Sequence, residues 1–272
     1  MSNIRQPDPS KALVQSQFGV NAANYATSNV HAKGASLARL IELVKPQRHW
    51  QALDVATGAG HTALAFAPHV AQVIASDLTP EMLQQAAKLA ADKSITNVST
   101  QLADAEALPF ADATFDLVTC RIAPHHFPDI PVFVAEVWRT LKPGGTFALV
   151  DNVAPDLETT PGFTKAELRD ADFSYNAFEK IRDPSHGRAL TTAEWVEIVA
   201  DTGFTVAHRE HQPKAMDFAA WCKNMNVASD TVPRLEAMLR EAAPALKAFL
   251  QPGDGDGKLG FVLAELILIA RK

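Results

Sequence analysis

An α/β protein built on an open, mostly parallel sheet with helices on both faces is predicted by three features of this 272-residue chain. Short apolar runs alternate with helix-forming segments along most of the sequence, the pattern of strands joined by helical crossovers. One of those runs lies in LDVATGAGHTA, Leu53 to Ala63, and ends in a glycine turn that opens a helix. Roughly twenty residues further on, a second run ends in an acid, Asp77, and again leads into a helix.

The first strand is read from Ala52, Leu53, Val55 and Ala56. Thr57 to Gly60 must then bend sharply, which glycine permits because it accepts positive φ without a Cβ penalty. HTALAFA starts a helix at His61, so the turn offers free backbone amides at a helix start, a place that favours a carboxylate or phosphate. Asp54, just before the turn, adds a fixed negative charge that repels a pyrophosphate and attracts an ammonium. An amino-acid head group carries both charges.

Val73 to Ser76 form the next strand, with Asp77 at its tip and PEMLQQAAKLAADKS as the following helix from Pro80. A carboxylate at that tip can accept both hydroxyls of a ribose, or serve only as a helix-start acid. VSTQLAD, FDLVTCRI, TFALVDNV and TVAHREH read as further strands, IPVFVAEVWRTL and TAEWVEIVADTG as helices, and LGFVLAELILIARK as the last strand. Between His211 and Lys258 lies a mainly helical insertion, including FAAWCKNMN and VPRLEAMLREAAPALKAFL, whose apolar spacing implies packing as lid, core or dimer surface. QPGDGDGK, Gln251 to Lys258, reads as an exposed loop.

A formal net charge of -6 argues against a non-specific nucleic-acid binder, whose footprint is basic. Cys120 and Cys222 are far apart with no CxxC pair, so neither a disulfide framework nor a metal cluster is expected. No apolar run has the length of a signal peptide core or a membrane span, and the cytoplasm is the expected compartment.

LDVATGAGHTA, ASDLTPEML, ADAEALPFADATFDLVTC and LKPGGTFALVD occur in one order. With them the chain resembles class I S-adenosylmethionine-dependent methyltransferases, most closely the branch of the ubiquinone and menaquinone C-methyltransferases (methyltransferase type 11). The resemblance runs from about Phe18 to Phe204. It implies a Rossmann-like sheet of seven strands with the last antiparallel. It further implies an N-terminal helical lid segment over 1–40, a cofactor-binding core over 41–211, a helical insertion over 212–258 and a final core strand over 259–272.

The implied cofactor is S-adenosylmethionine. Asp54, Ala56, Gly58 and Gly60 match the motif around its methionine part, and Asp77 matches the acid on its ribose, with Leu78 beside the adenine. Asp104 and Ala105 match the loop at the adenine edge, where a carboxylate accepts from the exocyclic amine and a backbone amide donates to a ring nitrogen. Arg121 falls at the junction of methionine and substrate, where many relatives carry a small or amide residue. Its planar fork suits the cofactor carboxylate or an anionic substrate, and a structural salt bridge is the equal alternative. FGVNAANYATSNVHAKG resembles the segment that folds over the cofactor and shields it from water, making Tyr25 and His31 candidate lid residues.

A sulfonium methyl can be taken by an aligned nucleophile through in-line displacement, with near-attack geometry supplying much of the rate. For a phenol, an enol or an activated carbon, removing a proton helps, and histidine matches that task near neutral pH. His125 and His126 follow the fourth strand, and His186 sits in IRDPSHGRAL in the crossover after the fifth. His126 and His186 are the candidate catalytic residues, with capping, loop hydrogen bonding or core packing as the structural alternative. Asp151 and Asn152, ending LVDN, are candidates to orient substrate.

After the fourth strand the chain reads RIAPHHFPD, not the NPPY-like motif of base-flipping enzymes, which favours a small-molecule acceptor over nucleic acid. A protein acceptor and a homodimer stay open. Two other classes also stay open: an NAD(P)-dependent oxidoreductase using the same glycine turn, against which Asp54 and ADAEALPF stand, and a cofactor-binding protein without methyl transfer.

Overall fold

The computed structural model describes residues 8–26, 35–255 and 257–272. Five parallel strands form one side of the sheet: β1 (Gln51–Val55), β2 (Gln72–Asp77), β3 (Val98–Leu102), β4 (Phe115–Arg121) and β5 (Leu141–Asn152). β6 (Thr205–Asp217) and β8 (Lys258–Arg271) complete it, with β8 antiparallel to both β5 and β6. The order is β3-β2-β1-β4-β5-β8-β6, and a short β7 (Gly253–Gly255) folds back onto β8. The mostly parallel sheet with an antiparallel last strand is as expected. β7 is an addition, formed within the cluster expected to be only loop.

Ten described helices surround the sheet: α1 (Pro9–Ala26), α2 (Ala35–Val44), α3 (His61–Phe66), α4 (Pro80–Asp92), α5 (Ile130–Thr140), α6 (Lys165–Arg182), α7 (Thr192–Asp201), α8 (Phe218–Asn224), α9 (Val232–Arg240) and α10 (Pro244–Leu250). Alternation along the central strands divides the core into two layers. Leu117, Ala148, Val150, Ile267 and Ile269 pack with Leu40 and Val44 of α2 and with Ala63 and Phe66 of α3. Their neighbours in sequence, Val118, Phe147, Leu149, Leu266 and Leu268, pack with Phe133 and Val137 of α5 and Trp195 of α7. Both faces are buried, so the middle of these strands is a near-continuous apolar run, as in FALV of β5 and LILIA of β8.

Some boundaries fall elsewhere than the sequence suggests. Residue 40 lies inside α2, whose Leu40 and Val44 belong to the sheet's core. The helical stretch expected from residue 212 begins at Phe218, because β6 stays paired with β8 through Asp217 opposite Gly260. Pro213 is tolerated within β6 because the strand is an edge. α6 was not anticipated at all. It starts on a reciprocal capping box between Thr164 and Glu167, and its buried Tyr175 and Phe178 join a third core with Trp221, Leu235 and Phe249 from α8 to α10 and Phe261 of β8. Phe178 stacks on Trp221 at 4.7 Å.

β2 and β4 flank β1, so the chain reverses direction across the sheet between β1 and β4. In open α/β sheets the crevice outside the strands' carboxyl ends at such a point is where ligands bind. No helix among the described residues is long and apolar enough to cross a membrane.

Candidate active site

The turn after β1 has a left-handed backbone at Ala56 (φ 51), Gly58 (φ 54) and Gly60 (φ 88). The Thr57 amide donates to the Ser76 carbonyl at 2.8 Å, tying the turn to β2. Asp54 lies beneath it. One carboxylate oxygen accepts from Thr57 Oγ1 at 2.5 Å and from the Ala63 amide at 3.1 Å, and the other accepts from Thr119 Oγ1 at 2.6 Å. Burial pushes this carboxyl up to about 6 against those hydrogen bonds and the charge of Arg121. Asp54 is 1 % exposed and braces the turn from below.

The two glycines do different work. A Cβ on Gly60 would stand 2.8 Å from Cβ of Ala86, so glycine lets α4 pack on the turn. A Cβ on Gly58 would meet nothing within 4 Å, because Gly58 faces an open cleft of about 1000 Å³ including its mouth.

That cleft runs along the carboxyl ends of β1 to β4. Asp77 is fixed in its wall by the Gly58 amide at 2.8 Å and the Thr79 amide at 2.9 Å, and burial raises its pKa against them. The Thr79 side chain and the Leu78 backbone also favour the charged carboxylate. Leu78 lines the cleft and its carbonyl accepts from Gln15 of α1 at 2.8 Å. Asp104 and Ala105 line the far end. There Lys11 of α1, outside the span of the sequence resemblance, reaches Asp104 at 2.7 Å and Glu106 at 2.6 Å. Against burial, which pulls it down, these two acids hold the Lys11 ammonium above its ordinary value. No local sequence signal pairs Lys11 with acids that lie over ninety residues away.

On the opposite wall Arg121 donates through Nε to Thr62 Oγ1 at 3.0 Å. Burial lowers its pKa while Glu265 and Asp54 oppose the shift. Ile122 beside it is held at φ 54, a region a β-branched residue avoids at a cost of about 1–3 kcal/mol. Its amide donates to the Val150 carbonyl at 2.7 Å.

The histidines gather behind this wall. His125 and His126 lie in a 3-10 turn after β4, with ring centroids 4.2 Å apart, and the His186 ring is 5.5 Å from that of His125. Of the candidate bases, His126 lines the cleft and His186 does not. His126 Nδ1 faces the Ser185 carbonyl at 3.0 Å, and Phe18 of α1 meets the ring edge-on at 5.0 Å. Burial and the neighbouring His125 charge push His126 down to about 3. His186, 3 % exposed, bonds Asn176 at 2.9 Å and is pushed down to about 2 by burial, so its place is in the packing of the crossover against α6. Asp151 pairs with His125 at 2.6 Å. Buried nearby, Asn152 Oδ1, Tyr175 OH and Glu179 Oε1 have no hydrogen-bond partner among the described residues. The Tyr25 side chain and His31 lie outside the described residues.

The open space over Gly58 among the described residues, a fixed carboxylate at Asp77 and an acid with a backbone amide at Asp104 and Ala105 fit a nucleoside joined to an amino acid. The comparisons agree. A model of the methyltransferase domain matches residues 53–149. The uncharacterized methyltransferase YcgJ of Bacillus subtilis is 34 % identical over 229 residues, covering 84 % of this chain and 86 % of YcgJ. The chain belongs to the S-adenosylmethionine-dependent methyltransferases.

The crystal structure of YcgJ superposes on this methyltransferase with a TM-score of 0.77 at 32 % identity, covering 87 % of this chain and 97 % of that one. The ubiquinone/menaquinone biosynthesis C-methyltransferase UbiE of Zymomonas mobilis is 34 % identical over 146 residues, 52 % of this chain and 60 % of UbiE. The fold is shared more widely. Phosphoethanolamine N-methyltransferase 2 of Haemonchus contortus, in complex with S-adenosyl-L-methionine, matches with a TM-score of 0.64 at 16 % identity, over 97 % of this chain and 60 % of that one.

Proposed function

We propose that this methyltransferase acts on a small-molecule acceptor by in-line displacement, with the acceptor held at the inner end of the cleft against His126. The observation that carries this reading is that His126 reaches the cleft with Nδ1 committed to the Ser185 carbonyl. Bound S-adenosylmethionine supplies an electrophilic methyl on a sulfonium. Gly58 and Asp77 would hold its methionine and ribose parts, Leu78, Asp104 and Ala105 its adenine, and Arg121 its carboxylate end.

The protein's own groups then align and shield the reactants. α1 crosses the cleft through Lys11, Gln15 and Phe18, a position from which it would limit the access of water. His126, pushed down to about 3, is neutral at physiological pH and accepts a hydrogen bond from the acceptor at Nε2. So weak a base takes the proton only as methyl transfer makes it strongly acidic, which suits a hydroxyl, enol or ring-carbon acceptor. The relative UbiE is named a C-methyltransferase of ubiquinone and menaquinone biosynthesis, which supports a carbon acceptor among these. The net charge of -6 supports a small molecule over nucleic acid. A cytoplasmic setting and a homodimer complete the reading.

Calorimetry with S-adenosylhomocysteine tests the cofactor site. The wild type should bind, and Asp77→Ala should weaken binding about tenfold or more, the loss of a hydrogen bond to a charged group. No heat with the wild type would end the proposal. Mass spectrometry of cell extract incubated with the protein and methyl-labelled cofactor should show a labelled small molecule. Label found only in protein would redirect the acceptor class.

A further inference from the structure

The histidine cluster contains a second pair whose geometry bears on methyl transfer, an inference that rests on the reading of His126 given above. Asp151, at the end of β5 and 1 % exposed, grips His125 twice: one oxygen pairs with ring Nδ1 at 2.6 Å and the other accepts the backbone amide at 2.9 Å. A carboxylate only accepts, so His125 carries its proton on Nδ1. The His125 carbonyl in turn accepts from the amides of Gly187 at 2.8 Å and Arg188 at 3.0 Å. A Cβ on residue 187 would stand 3.0 Å from that oxygen, and glycine allows the approach.

The crossover fixed in this way presents Ser185. Asp183 Oδ1 accepts from the Ser185 amide at 2.9 Å and its hydroxyl at 2.6 Å, which leaves the Ser185 carbonyl 3.0 Å from His126 Nδ1. A carbonyl cannot donate, so His126 is protonated at Nδ1 and its lone pair is on Nε2, 4.0 Å from Asp183 and beyond hydrogen-bond distance.

We propose that His125 and Asp151 are positioning residues for methyl transfer, clamping the turn to the crossover so that His126 offers its Nε2 lone pair to a hydroxyl-bearing or enolic acceptor. The charges around the pair act in the same sense. Burial opposes charge on His125, but Asp151, Glu179 and Asp183 favour it and raise its pKa. Burial first, then charged His125 and Arg182, disfavour a second charge on His126, against Asp183 and the Ser185 carbonyl, which favour it. The ring of His186 lies near both and stays uncharged.

Nitrogen-detected NMR of the histidine rings between pH 5 and 8, with and without S-adenosylhomocysteine, tests this without an acceptor. In the wild type His126 should remain neutral with its proton on Nδ1, while His125 is protonated on both nitrogens at pH 6. In Asp151→Asn, His125 should lose its extra proton and His126 should titrate nearer its ordinary value. The affinity for S-adenosylhomocysteine should stay within about threefold, under 1 kcal/mol, because Asp151 does not line the cleft. A wild-type His126 protonated on Nε2 overturns the proposal, and so does a variant whose rings match the wild type. If Asp151→Asn does not fold, the wild-type spectra decide alone. Loss of S-adenosylhomocysteine binding by the wild type would instead sink the cofactor reading, whatever the ring states.

Discussion

Gly58 and Gly60 stand two residues apart in one turn, both with positive φ, yet substitution should separate them. Gly58→Ala meets only the backbone cost of about 1–2 kcal/mol, but its methyl projects into the cleft. Gly60→Ala adds a 2.8 Å clash with Ala86, about 1–3 kcal/mol more. Denaturant unfolding should therefore rank Gly60→Ala as the less stable, and calorimetry should show Gly58→Ala losing S-adenosylhomocysteine affinity while its fold persists. Equal stability of the two variants would contradict this packing. At this scale the residue types were legible: Gly58, Asp77, Asp104 and Ala105 reach the cleft, while Gly60 serves the packing of α4. Asp54 was legible as an acid but not as a brace, because that role depends on Thr119, sixty-five residues away on β4.

Among the elements, α1 has the weakest sequence signal and an important position. It packs along α4 and is held to the cleft by Lys11, whose partners Asp104 and Glu106 are only partly exposed. Lys11→Met should speed amide hydrogen exchange in α1 by up to about fivefold, the ~1 kcal/mol of a partly solvated ion pair, with no change in β1 or β4. Unchanged exchange in α1 would show that Gln15 and Phe18 suffice. α6 was missed although Thr164 and Glu167 carry a capping-box spacing and Leu168, Ala171, Tyr175 and Phe178 lie on one face. Its many charged residues hid that stripe. β6 outran its expected end because pairing with β8, a long-range effect, overrode the local signal of Pro213.

For the whole molecule, the buried histidines set the acid limit of stability. His186 is pushed from 6.5 down to about 2, so above pH 6.5 it is neutral in both states. Below 6.5 the unfolded chain takes up a proton that the folded chain refuses, and stability falls with pH. His126 acts in the same direction. Asp54, pushed up to about 6, partly offsets them, because the folded carboxyl keeps a proton that the unfolded one releases above 3.8. His125, with a raised pKa, adds stability that is present below 6.5 and is lost as pH rises through its folded value. Replacing His186 with Gln should flatten the fall of unfolding free energy between pH 6 and 4 by up to about 1.4 kcal/mol per pH unit. Denaturant titrations at several pH values measure that slope, and a variant as steep as the wild type would place the proton uptake elsewhere.

The sequence by itself determined the parallel strands, the glycine turn and the acids at the strand ends, because these follow from local periodicity and from a few residues close in the chain, while the antiparallel last strand followed only from the family resemblance. Only the tertiary structure decided which histidine faces the cleft, that Lys11 meets Asp104, and that His125 leans on Asp151. Those contacts join residues from 26 to 93 positions apart, and no local preference specifies a partner at such distances.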